Sequence, residues 1–225
     1  MSLTASIKDL LNFIGQFNEK FFPWSIIIPG ILIGIAFNFV WLVYAHPSKT
    51  VNVALKSFIG IVYVIAGLET YSITLFVSIE VFYLAGAIIM WVVAVLFFMD
   101  IFLGKTDFNF SQMISKDVKI ISLLLILWGT LIYPVVECLL GFTWPGMVFF
   151  GAECPTTIFV IGLLIGSIPK TNKIIYVFLC IGAVFSGGVF GFQGAWFDIA
   201  YFASGIIGLI MFLKYWKKMN EKEER

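Results

Sequence analysis

Charge is what this sequence has least of. Only 12% of its 225 residues are Asp, Glu, Lys or Arg, about half the share of an ordinary soluble domain. So few polar side chains cannot coat a globule of this size, which excludes a freely soluble domain. The formal net charge is +1, which excludes the concentrated basic footprint that nucleic acid requires. One histidine, His46, excludes any site built on two imidazoles. Cys138, Cys154 and Cys180 are too few for a disulfide scaffold, and no Cys-x-x-Cys occurs. The first 20 residues contain Lys8, Asp9, Glu19 and Lys20, so they lack the apolar core of a cleaved leader.

What is present is apolar side chain: 61% hydrophobic and 18% aromatic, with a mean hydropathy of +1.04. The reading is an all-α polytopic membrane protein whose medium is the lipid bilayer. About 20 apolar residues cross the hydrocarbon as a helix. Seven stretches qualify: Trp24–Tyr44, Val51–Tyr71, Val81–Leu103, Val118–Leu140, Thr156–Ile168, Ile174–Phe190 and Trp196–Leu213. The fifth and sixth are short, and a polar turn, Pro169 to Lys173, separates them. Bilayer thinning or packing inside the bundle accommodates short spans.

Three segments follow from this: an interfacial amphipathic segment over 1–22, a seven-span domain over 23–214 and a charged cytoplasmic tail over 215–225. In the first, Leu10, Phe13, Ile14 and Phe17 share a helical face suited to lying on the membrane. Phe21, Phe22 and Trp24 mark the headgroup level. Lys and Arg crowd the first, third and fifth connections and the tail, and are absent from the second, fourth and sixth. That asymmetry places the N-terminus outside and the C-terminus in the cytoplasm, as an odd number of spans requires. Glycines four apart, Gly30/Gly34, Gly162/Gly166 and Gly187/Gly191, suit close helix packing or the binding of a second copy or partner subunit.

Five acids, Glu69, Glu80, Glu137, Glu153 and Asp198, then fall at the outer ends of spans, with no basic residue beside them. Glu80, Glu153 and Asp198 sit at helix N-termini, where capping accounts for them. Glu69 and Glu137 sit near helix C-termini, where the dipole opposes a negative charge and nearby hydrocarbon makes ionisation costly. They are expected to face the bundle interior or a shared cavity. Pro134 leaves the carbonyl of Thr130 without its helical donor, so Pro134, Glu137, Cys138 and the loop to Cys154 form a candidate constellation. Asp100 lies near the inner end beside Lys105 and Lys119 and is expected to pair at the surface.

The connection Gly141–Glu153 is aromatic and glycine-rich, long enough to dip back over the acids. Irregular backbone is tolerated there only when it is buried in protein or lines water. Its Trp144, Phe149 and Phe150 suit the interface, and Pro155 suits the first turn of the next helix. Cys138 closes one span and Cys154 opens the next. They form either a disulfide or, for Cys138, an apolar packing residue. Cys180 reads as packing.

The run "YPVVECLLGFTWPGMVFFGAECPTTIFVIGLL" resembles an uncharacterised family of multi-span bacterial membrane proteins (domain of unknown function 6064). The resemblance is specific over Tyr133-Pro134, Gly141, Pro145, Cys154 to Phe159 and Gly162 to Leu164. A histidine commonly follows the glycine in that family where this chain has Phe142. A neutral residue commonly precedes the Cys-Pro where this chain has Glu153. A role that depends on that histidine does not carry over. The resemblance implies a multi-pass protein of the bacterial inner membrane and brings no activity with it.

Three functions remain open. One is transport or binding of a small cation, proton or polar solute at an outer cavity, through Glu69, Glu137, Glu153, Cys154 and Asp198. Another is an accessory subunit that binds a partner through glycine-lined faces. The third is a thiol enzyme using Cys154, although Glu153 opposes the thiolate that such chemistry needs. The thiols and acids specify neither a metal nor a cofactor. Retinal is excluded, because the seventh span has no lysine before Lys214.

Overall fold

The computed structural model describes residues 3–77 and 81–220, with side chains at 10–72, 84–111 and 113–219. Its regular elements are helices α1 (Leu3–Lys20), α2 (Trp24–Ala45), α3 (Lys49–Val77), α4 (Val81–Leu103), α5 (Lys116–Leu127), α6 (Tyr133–Leu139), α7 (Glu153–Gly166), α8 (Lys173–Phe192) and α9 (Ile199–Asn220). A π-helical turn, Trp128–Ile132, joins α5 to α6. Six segments are long and apolar enough to cross a membrane: Trp24–Ala45, Lys49–Ser72, Leu84–Leu103, Lys116–Leu139, Lys173–Phe192 and Trp196–Met219.

The fifth expected span is of a different kind. Helix α7 has 14 residues, about 21 Å of rise, against a hydrocarbon core of about 30 Å. Its sequence is apolar on every side, and a helix of that kind is buried all round. Every residue from Pro155 to Gly166 is buried, under α5, the π turn, α9, α8 and α3. The short segment is thus accommodated inside the bundle. Two antiparallel pairs, α3 with α4 and α8 with α9, flank it. Helix α2 stands at the periphery, with only Ala36 and Val43 buried.

Small residues set the closest approaches. A Cβ on Gly162 would lie 2.9 Å from the Ser122 carbonyl oxygen, and one on Gly166 would lie 2.7 Å from the Ser122 hydroxyl. Ser122 uses that closeness to donate to the Gly162 carbonyl at 2.8 Å. Gly187 meets the backbone of Phe202, and Gly191 meets Ile199. Gly30 and Gly34 meet nothing within 4 Å, so packing within the chain explains two of the three glycine pairs.

The lysine-rich end is closed by a buried polar network. Lys56 Nζ lies 2.9 Å from Asp100 Oδ2, with side chains 4% and 0% exposed. Asp100 also accepts from the Thr106 amide at 3.1 Å and the Asn172 side chain at 2.8 Å. Asn172 caps α8 by accepting from the Ile174 amide at 3.1 Å. Asp100 is therefore an interior ion-pair partner, not a surface partner of Lys105 or Lys119. The lysine that satisfies it lies 44 residues away on α3, beyond the reach of reasoning from neighbours in sequence.

Substitutions at the glycines and at the buried pair test these contacts by denaturant or thermal unfolding in detergent. Gly187→Ala is expected to cost about 1–3 kcal/mol, because its methyl collides with backbone. Gly30→Ala is expected to be neutral or to stabilise by up to about 1 kcal/mol. Lys56→Met, which strands Asp100, is expected to cost about 3–5 kcal/mol. Lys56→Met with Asp100→Leu should recover most of that loss, and no recovery would show that the pair is not the source.

Candidate functional site

The opposite end gathers the acids. α3 ends there, α6 ends there, and α7 and α9 begin there. Glu69, Glu153, Cys154 and Asp198 line one cavity of about 350 Å³. Among the described residues no Lys or Arg is in its lining. The remaining wall is mostly apolar, including Leu10, Ile14, Ile89 and Phe190. A second cavity of about 370 Å³ adjoins it and shares Glu69 and Ala152.

Each acid has its own setting. Tyr133 Oη donates to Asp198 Oδ1 at 2.6 Å. Tyr201 Oη donates to Glu153 Oε1 at 3.3 Å, and Ser186 lies close to that carboxyl. The thiol of Cys154 lies against Asp198 and Tyr133. Among the described residues Glu69 has no hydrogen-bond or ion-pair partner. Glu137 is fully buried and accepts from the Val148 amide with both oxygens, at 3.2 and 3.0 Å. It stands behind the cavity wall and anchors the loop that Val148 belongs to.

Glu153 and Asp198 keep the first-turn positions read for them, but among the described residues neither carboxyl makes a cap bond. Ala152 is the N-cap of α7, and no side-chain cap bond is made there. Both carboxyls are engaged instead by tyrosines of neighbouring helices. Glu80 lies outside the described residues. Glu69 lines the cavity and Glu137 points inward, as expected of both, but α3 runs on to Val77, so Glu69 lies well inside its helix and the terminal dipole that suggested it does not act there.

The π turn explains how Tyr133 reaches Asp198. Pro134 cannot donate and clashes with the turn before it. The widened turn absorbs that conflict one turn earlier. The Tyr133 amide bonds back to Trp128, five residues away. Gly129 sits where a Cβ would collide with the Pro155 carbonyl and the Phe159 amide on α7. Tyr133 is thereby turned inward and buried. Thr130 donates its hydroxyl to the Ile126 carbonyl at 2.8 Å. Pro134 thus acts through the wider turn ahead of it, in addition to the carbonyl it frees.

The loop before α7 folds over this end. Gly141 and Gly151 have φ of 89° and 114°, a region open mainly to glycine. The Gly151 amide donates to Thr156 Oγ1 at 3.0 Å. Pro155 takes its place in the first turn of α7. Asn18 on α1 donates to the Pro145 and Met147 carbonyls at 2.7 and 3.0 Å. Phe150 departs from the interfacial role read for it: it is buried, and its ring meets Phe159 edge-on at 5.2 Å. Helix α1 turns Leu10, Leu11 and Ile14 to the first cavity.

The cysteines are separate. All three are free, Cys138 being exposed, Cys154 half-buried and Cys180 buried. The disulfide alternative is not realised, and Cys138 is not an interior packing residue either. Among the described residues no group of three or more His, Cys, Asp or Glu is spaced to hold a metal ion.

Three participants were missed in the sequence: Tyr133, Ser186 and Tyr201. Two left a signal. Tyr133 is four residues before Glu137, and Tyr201 is three after Asp198, so each shares a helix face with an acid. Ser186 left none.

The chain belongs to a family of unknown function, DUF6064, which matches residues 8–223. No curated protein and no solved structure matches it.

Removing a hydroxyl tests the tyrosine contacts. Tyr133→Phe is expected to cost about 1–3 kcal/mol, the penalty of leaving a buried carboxyl without its donor. Tyr201→Phe, at the longer contact, should cost less. Unfolding in detergent measures both, and equal losses would contradict the ranking.

Proposed function

We propose that this chain is a multi-pass protein of the bacterial inner membrane whose acid-lined cavity takes up a small cation, a proton or a small polar solute from outside. One observation carries the reading. Three carboxyls from α3, α7 and the turn before α9 open into a single cavity with no Lys or Arg among the described residues of its lining. Acids at membrane depth are expensive and mark pathways for charge. A mostly apolar cavity with few convergent polar groups is the usual form of a small-ligand site. Glu69 is the first-contact group, because its carboxyl has no partner to give up among the described residues. Asp198 and Glu153 follow, and their tyrosine donors take up the hydrogen bonding as charge arrives or leaves.

In this reading α7 makes a short seventh crossing, α1 lies at the interface and the Gly141–Glu153 loop caps the outer mouth. Lysines flank the inner connections, as the positive-inside rule requires. Cys154 is a wall residue. Its neighbours Asp198 and Tyr133 provide no positive charge to favour a thiolate.

A second reading, an accessory subunit, rests on α2. Gly30 and Gly34 meet nothing within 4 Å, and most of the helix is exposed. Glycines placed in this way let a partner helix approach closely.

Proteoliposomes loaded with a pH-sensitive or cation-sensitive dye test the main reading under an imposed membrane potential. Flux of protons, Na⁺, K⁺ or ammonium is expected with wild-type protein. Glu69→Gln, Glu153→Gln and Asp198→Asn should each lower it about tenfold or more. Asp117→Asn, which breaks only an exposed pair with Lys214, should leave it unchanged. Absence of flux for all four ions, or variants equal to wild type, sinks the pathway. For topology, a reporter fused after Leu213 should be active in the cytoplasm, and activity on the far side of the membrane rejects the proposed orientation.

A further inference from the structure

The lysine-rich end holds a third cavity, of about 700 Å³ and independent of the acids. Lys49, Lys56, Lys105 and Lys170 line it, with Asp107 as the one acid. Two of these lysines are neutralised. Lys56 is paired with Asp100, and Lys170 Nζ lies 2.8 Å from Asp107 Oδ2. Among the described residues Lys49 and Lys105 have no carboxylate partner. The cavity wall therefore has a surplus of two positive charges.

A second observation comes from Thr171, which also lines the cavity. The residue is 5% exposed, and its hydroxyl is buried without a hydrogen-bond partner. A buried hydroxyl left unpaired is costly, so an acceptor brought within its reach in the cavity is favoured. Helix α3 also begins here, at Lys49. Its first backbone N–H groups favour an anion, and among the described residues the Ser48 hydroxyl takes only the one from Val51. The two unpaired lysines, the unpartnered Thr171 hydroxyl and the first N–H groups of α3 are all donors or cations and suit an anion rich in acceptors.

We propose that this cavity binds a phosphate group, held between Lys49 and Lys105 with Thr171 as a further donor. The phosphate belongs either to an anionic lipid headgroup or to a free phosphate. The reading does not depend on the function proposed for the acidic end.

Two arms test it on the purified full-length chain. In one, native mass spectrometry in detergent follows retention of phosphatidylglycerol against diacylglycerol of the same acyl composition. In the other, thermal unfolding is followed with inorganic phosphate against chloride at matched ionic strength. Retention of phosphatidylglycerol alone identifies the lipid, and protection by inorganic phosphate identifies the free anion. In either arm Lys49→Gln with Lys105→Gln should weaken binding about tenfold or more, and Thr171→Val should weaken it less. Lys49→Arg with Lys105→Arg keeps the charges and should retain binding. Both lysines are exposed, so the fold tolerates these changes. If neither probe binds, or if the double glutamine variant binds as wild type does, the proposal is overturned.

Discussion

The burial of α7 from Pro155 to Gly166 is the constraint on which the remaining structure depends. A helix with no exposed face must be approached closely on every side, and bulky residues prevent that. Gly129 and Gly162 solve the problem toward α5 and the π turn. Gly205 and Gly208 bring α9 against Cys180 and Ile161, on α8 and α7. The same seating sets the first turn of α7 at one end of the bundle and its exit at the other. Glu153 and Cys154 ride on that first turn, and the exit leads into the polar network around Asp100.

The two ends obey one rule with opposite results. Buried polar groups must be satisfied. At the lysine-rich end satisfaction is ionic: Asp100 has Lys56, an amide and an asparagine. That arrangement is closed and structural. At the acidic end no Lys or Arg lines the cavity among the described residues, and satisfaction comes from neutral donors, Tyr133 to Asp198 and Tyr201 to Glu153. A carboxyl bonded to a neutral hydroxyl accommodates either protonation state, whereas one locked to a lysine does not. This difference is why the acidic end is the candidate site and Asp100 is not.

Much of this was legible without coordinates. The apolar stretches are long and their polar breaks are sharp, so helix identities and approximate limits followed from composition and spacing. The shared location of Glu69, Glu137, Glu153 and Asp198 at one end followed from the alternation of spans. Glu69 and Glu137 were marked because a C-terminal dipole gives an acid no local reason to be there. Local rules misled where they offered an adequate explanation. Glu153 and Asp198 look like ordinary N-terminal acids, yet their side chains turn to other helices. Asp100 has lysines near it in sequence, yet it pairs with one on α3.

The sequence by itself determined the helical class, the number of apolar segments and the segregation of acids from lysines. Each of those depends on composition and on the fixed rise of a helix. Tertiary structure alone decided that the fifth segment lies inside, that Gly30 and Gly34 meet nothing, and that Glu137 anchors a loop while Glu69 faces a cavity. Those outcomes depend on which helix faces which. Helix rotation is set by contacts between residues tens of positions apart, and in a chain so uniformly apolar no amphipathic stripe announces it.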